Sequence, residues 1–441
     1  MRVSRRRGSM TAVAATLAGV LAFATACAGD DGTSSGGTKN APAKITLTVD
    51  TFGTFGYEEL YKQYEASHPN IKISERNIPK LEDYTPQLQQ RIAAGAGAGD
   101  VVSIEEGVYV KFYAQADKFV DLKQYGAQSL QANFLPWKWQ QGTTPDGKIL
   151  GLGTDMGSMS VCYRSDLFKK AGLPTERAEV SKLWPTWDAF IDTGEKYTAE
   201  TGDKFIDSPD VFFNTILMQE AGVSTNYTYF DQNNKFVMDT NPAVKKAWDR
   251  TVQLTQAKIS ANLQLLSPEW TQGIKKDAFA AIPCPAWMLG LVKENAGDAQ
   301  AGKWDIAAVP GPGANWGGSL LSVPTQSKHP KEAAELAKFL TSPQGQTAAF
   351  KSKNNLPSSP QALADPAVKA FKNDYFNNAP VGEIFSSVAS GLKPVYLGAD
   401  NQEVRTAVEA DLRAMGQGKL KPDNSAWEKA IEDAKKASGT S

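Results

Sequence analysis

The stretch "KITLTVDTFGTFGYEELYKQYEASHPNIKISERNI", residues 44–78, decides the fold. Its first nine residues alternate and are rich in β-branched side chains, which predicts a strand. "YEELYKQYEAS" repeats its apolar positions at helical spacing, and Pro69 lies just beyond it, where a helix must stop. "IKISERNI" is strand-like again. "YTPQLQQRIAAGAGAG" reads as a helix running out in glycines, and "DVVSIEE" (100–106) as a third strand. The order βαβαβ predicts an α/β fold with a mostly parallel sheet covered by helices. "GAGAGD" precedes a strand and lacks a GK[ST] ending, so it is read as a helix end and not as a phosphate loop.

Further along, "ILGLGTDMGSMSVCYRSDLFKKAGL" predicts an apolar strand broken at "GTDMG", then a second strand entering a helix. "PTWDAFIDTGEKYTAETG" predicts a helix capped by Thr186. "FAAIPCPAW" and "WDIAAVPGP" predict strands. "HPKEAAELAKFLTSPQGQTAAF" reads as helical with Ala333, Leu336, Ala337 and Leu340 on its apolar face, and residues 403–437 read as two amphipathic helices. There is no internal repeat.

The chain has 441 residues, enough for two domains, with 41% apolar and 22% charged residues. A net charge of −1 gives no basic field for nucleic acid. Two histidines, His68 and His329, leave little room for a His-based triad or a multi-His metal site, and no CxxC or Cys/His cluster suggests a metal. No cofactor is expected.

"MRVSRRRGS" is basic and "MTAVAATLAGVLAFATA" is apolar and small-residue rich, the pattern of an export signal over residues 1–26. Ala24-Thr25-Ala26 before Cys27 resembles a bacterial lipobox, which implies a lipidated cysteine as mature N-terminus; the usual box has Leu where Ala24 stands. "SRRRGS" faintly resembles a twin-arginine signal. Simple cleavage and secretion is the alternative. The Gly/Ser/Asp-rich residues 28–43 predict a flexible tether. Removing residues 1–26 takes away four arginines and no acid, moving the net charge from −1 to −5. Cys162 and Cys284 fall in strand-like runs, and the sequence leaves open a disulfide or two buried thiols.

"NWGGSLLSVP" (315–324) sets an aromatic beside bare backbone. A pyranose has C–H faces that stack on aromatic rings and a rim of hydroxyls that carboxylates and amides bind. Trp316, flanked by Gly317, Gly318 and Ser319, is therefore read as a stacking platform with free N–H groups beside it; a core tryptophan before a glycine bulge is the alternative. Trp287, Trp270, Phe52 and Tyr396 are further candidate cleft aromatics, and core packing is the alternative for each. Asp155, between glycines in "GTDMG", is a candidate hydroxyl acceptor, with turn capping as the alternative. Glu105 and Glu106 must point to opposite faces of their strand, so one meets the ligand; Glu105 is favoured.

Taken in order, the lipobox, "GDVVSIEE", "LGLGTDMGSMSVCYRSDLFKKAGL", "PTWDAF", "PAWMLG", "NWGGSLLSVP", "HPKEAAELAKFLTSPQGQ" and "NLPSSP" resemble the solute-binding lipoproteins of carbohydrate ABC importers, the maltose-binding-like group. The resemblance covers roughly residues 44–437. "DVVSIEEG", "GTDMGSMSVCYR" and "PAWMLG" most resemble actinobacterial binders of cellobiose and cello-oligosaccharides, although xylo-, chito- and α-glucoside binders share the framework. The resemblance implies a two-lobe periplasmic-binding-protein-like fold of type II with multiple hinge crossings. It places one lobe at 44–154 with 307–355 and the other at 155–306 with 356–441. It implies a monomeric, non-catalytic receptor at the outer face of the cell membrane, held by its lipid, that gives an oligosaccharide to a permease and its ATPase. The competing readings are a secreted glycoside hydrolase, which would need Asp155 and Glu105 or Glu106 as its paired carboxylates, and a receptor for another solute such as a peptide, polyamine or phosphate.

Overall fold

The computed structural model describes residues 43–389 and 391–440. The export signal, Cys27 and nearly all of the tether lie outside them. Eleven strands are present among the described residues: β1 (Ile45–Phe52), β2 (Ile71–Ile78), β3 (Val101–Glu105), β4 (Gly151–Gly153), β5 (Asp155–Met156), β6 (Met159–Arg164), β7 (Lys204–Ile206), β8 (Phe279–Pro285), β9 (Trp304–Ala307), β10 (Ser319–Ser322) and β11 (Leu356–Pro357). They form a five-stranded sheet β2-β1-β3-β10-β4, a four-stranded sheet β7-β8-β6-β9 and a two-stranded ribbon β11-β5.

The opening βαβαβ supplies the parallel part of the first sheet, where β1 pairs with β2 from Ile45↔Ile71 to Phe52↔Ile78 and with β3 at Val49↔Val101. β10 then enters antiparallel between β3 and β4, setting Ser319 opposite Glu105 and Leu320 opposite Gly153. Alternation sorts the buried residues onto two faces. Leu47, Val49, Val101, Leu152 and Leu321 join one core, and Val102, Ile104, Leu150 and Leu320 join another. A sheet covered on both faces reads as continuous apolar runs, as "DVVSI" does.

In the second sheet β6 runs antiparallel to both β8 and β9. Val161 and Tyr163 face the larger core of this lobe, while Cys162, Ile282, Cys284 and Ile306 face the other. Cys162 and Cys284 are joined by a disulfide with Cα atoms 5.5 Å apart, which settles the choice that composition left open.

The two sheets belong to two lobes, and the chain passes between them three times. It crosses from β4 through β5 to β6, from β9 to β10, and through β11 after the helix Pro343–Lys353. The helical run at 330–353 is two helices, Pro330–Leu340 and Pro343–Lys353, because Pro343 cannot continue the first and Ser342 caps the second by accepting from Gly345 N–H. Thr186 caps the helix Trp187–Thr201 by accepting from Ala189 N–H. No helix among the described residues is long and apolar enough to cross a membrane.

Candidate functional site

The two crossings at 154–158 and 308–318 lie side by side and build one piece of structure. Trp316 N–H donates to Gly157 O at 2.8 Å, and Gly157 N–H donates to the Asn315 side-chain oxygen at 2.8 Å. A Cβ on Gly157 would lie 1.7 Å from Trp316 O, so only glycine permits this approach. Gly317 and Gly318 take φ of +92° and +114°, and a Cβ on Gly318 would meet Asp155 O at 2.5 Å. The paired glycines are thus required by backbone conformation and packing.

Two of the three N–H groups beside the ring, those of Gly317 and Ser319, are already engaged and not free for a ligand. Gly317 N–H donates to Glu106 Oε1 at 2.9 Å, and Ser319 N–H donates to Asp155 Oδ1 at 3.1 Å. Glu106 also accepts from the Asn315 amide with both oxygens at 2.8 Å, and its own N–H donates to Gly318 O at 2.9 Å. Glu106 is therefore a clasp from the end of β3 that fixes the Trp316 segment. Burial pushes its carboxyl up to about 7, against the pull of Lys138.

A cavity of about 160 Å³ opens beside this segment. It brings together Phe52, Glu105, Asp155, Trp287, Trp316, Gly317, Gly318 and Ser319. Trp316 and Trp287 are both half-buried, with ring centroids 5.8 Å apart and planes at 59°, and Trp287 Nε1–H donates to Trp316 O at 2.9 Å. Two flat faces held at an angle form a corner of aromatic wall. The polar part of the lining is Thr54, Glu82, Glu105, Asp155, Ser319, Asn355 and Arg405. Glu105 lines the cavity while Glu106 is turned into the clasp. Burial raises the Glu105 carboxyl, opposed by Arg405 and by Gly107 N–H, which donates at 2.6 Å. Burial likewise raises Asp155, opposed by Lys138 and by the Thr154 hydroxyl at 2.6 Å.

Two candidates fall elsewhere. Trp270 is a core residue: Ser267 caps its helix and turns the ring inward to stack on Phe279 at 6.1 Å, and its Nε1–H donates to Asp207 Oδ2 at 2.9 Å. Tyr396 is outside the cavity lining. Its N–H donates to Asn226 O at 2.8 Å, and the resulting pairing with Tyr227 sets it along the second lobe.

Sequence reasoning missed Lys138, Asn315, Arg405 and the leucines that also line the cavity, Leu81, Leu265, Leu266 and Leu291. Lys138 is fully buried, its Nζ has no hydrogen-bond partner, and Asp155, Glu105 and Glu106 surround it; burial lowers its pKa. A lysine between two tryptophans in "PWKWQQ" was the available signal. Arg405 comes from the helix Asn401–Gly416 of the second lobe and lines the same cavity as Glu105 at the end of β3. The same helix is tied to the first lobe by Lys111, which pairs with Asp400 at 3.5 Å and with Glu403. Among the described residues no cluster of His, Cys, Asp and Glu could hold a metal.

Comparison with known proteins agrees with this architecture. The sequence profile of the bacterial extracellular solute-binding proteins matches residues 59–375. The lactose-binding protein of Rhizobium radiobacter is 24% identical over 379 residues, covering 82% of this chain and 85% of the relative. The arabinooligosaccharide-binding protein of Bacillus subtilis is 24% identical over 333 residues, covering 68% and 71%. A crystal structure of an extracellular solute-binding protein of family 1 superposes with a TM-score of 0.78 at 40% identity, covering 89% of this chain and 99% of the other. A two-lobe α/β body, three crossings and a profile match over most of the chain make this protein a member of the bacterial extracellular solute-binding proteins.

Proposed function

We propose that this protein captures an oligosaccharide in the cavity between its lobes and delivers it to the permease of an ABC importer, powered by a separate ATPase. The observation that carries this reading is the corner formed by Trp316 and Trp287 beside Glu105 and Asp155. Aromatic faces suit the C–H faces of a pyranose, and carboxylates suit its hydroxyls. Relatives whose names specify lactose and arabino-oligosaccharides support the class of ligand. Cellobiose or cellotriose is the ligand we favour, from the likeness of "DVVSIEEG", "GTDMGSMSVCYR" and "PAWMLG" to cello-oligosaccharide binders. The lobes we assign are 44–154 with 307–355 and 155–306 with 356–441, and the body works as a monomer anchored through Cys27 at the outer face of the cell membrane.

A cavity of about 160 Å³ is smaller than the roughly 300–1,000 Å³ of typical small-molecule sites, so the lobes must part to admit a disaccharide. Rotation about the three crossings is the natural hinge, and a ligand touching both lobes favours the closed form.

Calorimetric titration of the protein lacking residues 1–27 with cellobiose, cellotriose, xylobiose, maltose and chitobiose tests the reading, followed by a search for hydrolysis products. Saturable binding of one sugar without product is expected. Trp316→Ala and Trp287→Ala should each weaken it by roughly 10- to 100-fold, the cost of losing a buried aromatic anchor. Turnover with no stable complex would favour the hydrolase reading, and no binding of any sugar would overturn the proposal.

A further inference from the structure

The cavity wall is not uniformly suited to a sugar. Besides its polar groups the lining holds four leucines, Leu81 from the first lobe and Leu265, Leu266 and Leu291 from the second. A branched aliphatic side chain offers neither a flat face for stacking nor a partner for a hydroxyl. A hydroxyl pressed against it would lose its hydrogen bonds to water without replacement.

This wall is built, not incidental. Leu266 sits at φ +61°, and of the nine non-glycine residues with positive φ among the described residues it is the single aliphatic one; the others are six asparagines, a lysine and an aspartate. A bulky residue in the left-handed region is a conformational outlier that the surroundings must enforce. Asp207 does so from both ends of the loop. Its backbone oxygen accepts from Leu263 N–H at 3.0 Å, and its Oδ2 accepts from the Trp270 indole N–H at 2.9 Å. Between these anchors Ser267 N–H donates to Gln264 O at 3.0 Å, and Ser267 Oγ caps the following helix. Leu265 and Leu266 are thereby held at the cavity by a rigid loop.

We propose that the physiological ligand carries an apolar group, an aryl or alkyl substituent joined to the sugar, and that Leu81, Leu265, Leu266 and Leu291 receive it. The substrate class is then a glycoside with an apolar aglycone. This rests on the saccharide reading above and narrows it.

The test is calorimetric titration of the protein lacking residues 1–27 with cellobiose, phenyl β-cellobioside, lactose and phenyl β-lactoside. Burying a phenyl ring predicts at least tenfold tighter binding of a phenyl glycoside than of its parent sugar. In Leu266→Asn, which suits the left-handed backbone, and separately in Leu81→Asn, the ratio of the two affinities should fall toward one. Parent sugars that bind as well as or better than their phenyl glycosides would overturn the inference and leave the saccharide reading standing. A phenyl gain that survives in both variants would also overturn it. Failure of all four compounds to bind would overturn the inference together with the cello-oligosaccharide assignment beneath it. The wild-type comparison decides the matter even if one variant does not fold.

Discussion

Replacing Glu106 by glutamine should make the protein's stability less dependent on pH, by an amount that follows from its burial. The carboxyl lies at about 7 in the fold, against an ordinary value of 4.5, and the leading cause is desolvation. Such a difference corresponds to about 3 kcal/mol of preference for the protonated form in the native state. The native state binds this proton more tightly than the unfolded chain does. The stabilisation is therefore complete below pH 4.5, declines as pH rises, and is gone above about 7. Glutamine has the shape of the protonated acid and does not titrate. Its carbonyl can keep the Gly317 N–H, while its amide meets the Asn315 amide donor at 2.8 Å, a cost that does not vary with pH and so leaves the change in the gap unaffected. Urea unfolding of both proteins, followed by tryptophan fluorescence at pH 5 and pH 8, measures the difference. Between pH 5 and pH 8 the gap between them should move by about 2.5 kcal/mol in favour of Glu106→Gln. Asp207, also raised to about 7 by burial, titrates in both and cancels. A gap that stays constant to within about 1 kcal/mol would refute the assignment of Glu106 as a buried, titrating clasp.

Three further outcomes follow from the same structure. Trp270→Phe should lower stability by about 1–3 kcal/mol in chemical unfolding, since Asp207 loses its indole donor, while sugar affinity stays within a few fold. Replacing Cys162 and Cys284 together by alanine should cost up to about 5 kcal/mol, because their bond closes a loop of 122 residues in the unfolded chain; the thermal midpoint of oxidised protein against the variant checks it. Lys111→Met removes a link between the lobes and should increase the unliganded radius of gyration in solution scattering, and added salt should expand the parent protein but not the variant.

Much of the scaffold was legible because local pattern and tertiary role coincide. β1, β2 and β3 follow the period-two and apolar runs of 44–106, and Thr186 caps the helix its sequence announces. The Trp316 segment was legible as a place where aromatic and backbone meet, but not in what its amides do. The acceptor for Gly317 N–H is Glu106, 211 residues earlier, and no local pattern contains that partner. Lys138 and Arg405 escaped for the same reason: each is an ordinary polar residue on a helix, and only the assembled fold turns it toward Glu105. Trp270 misled because a tryptophan at the start of a helix can face either way, and Asp207 decides the direction.

The pairing of Ser319 with Glu105 joins residues 214 positions apart, and the second lobe's sheet is threaded through the interval between them. Contacts that distant are slow to form. A nascent chain cannot complete its first sheet until some three-quarters of it has been made, and the crossing that leads into the completing strand carries Trp316. Ligand recognition is therefore an all-or-nothing report on maturation: a partly folded molecule with β1–β3 in place has no half-affinity site, and retention on an immobilised sugar would separate finished molecules from every earlier form.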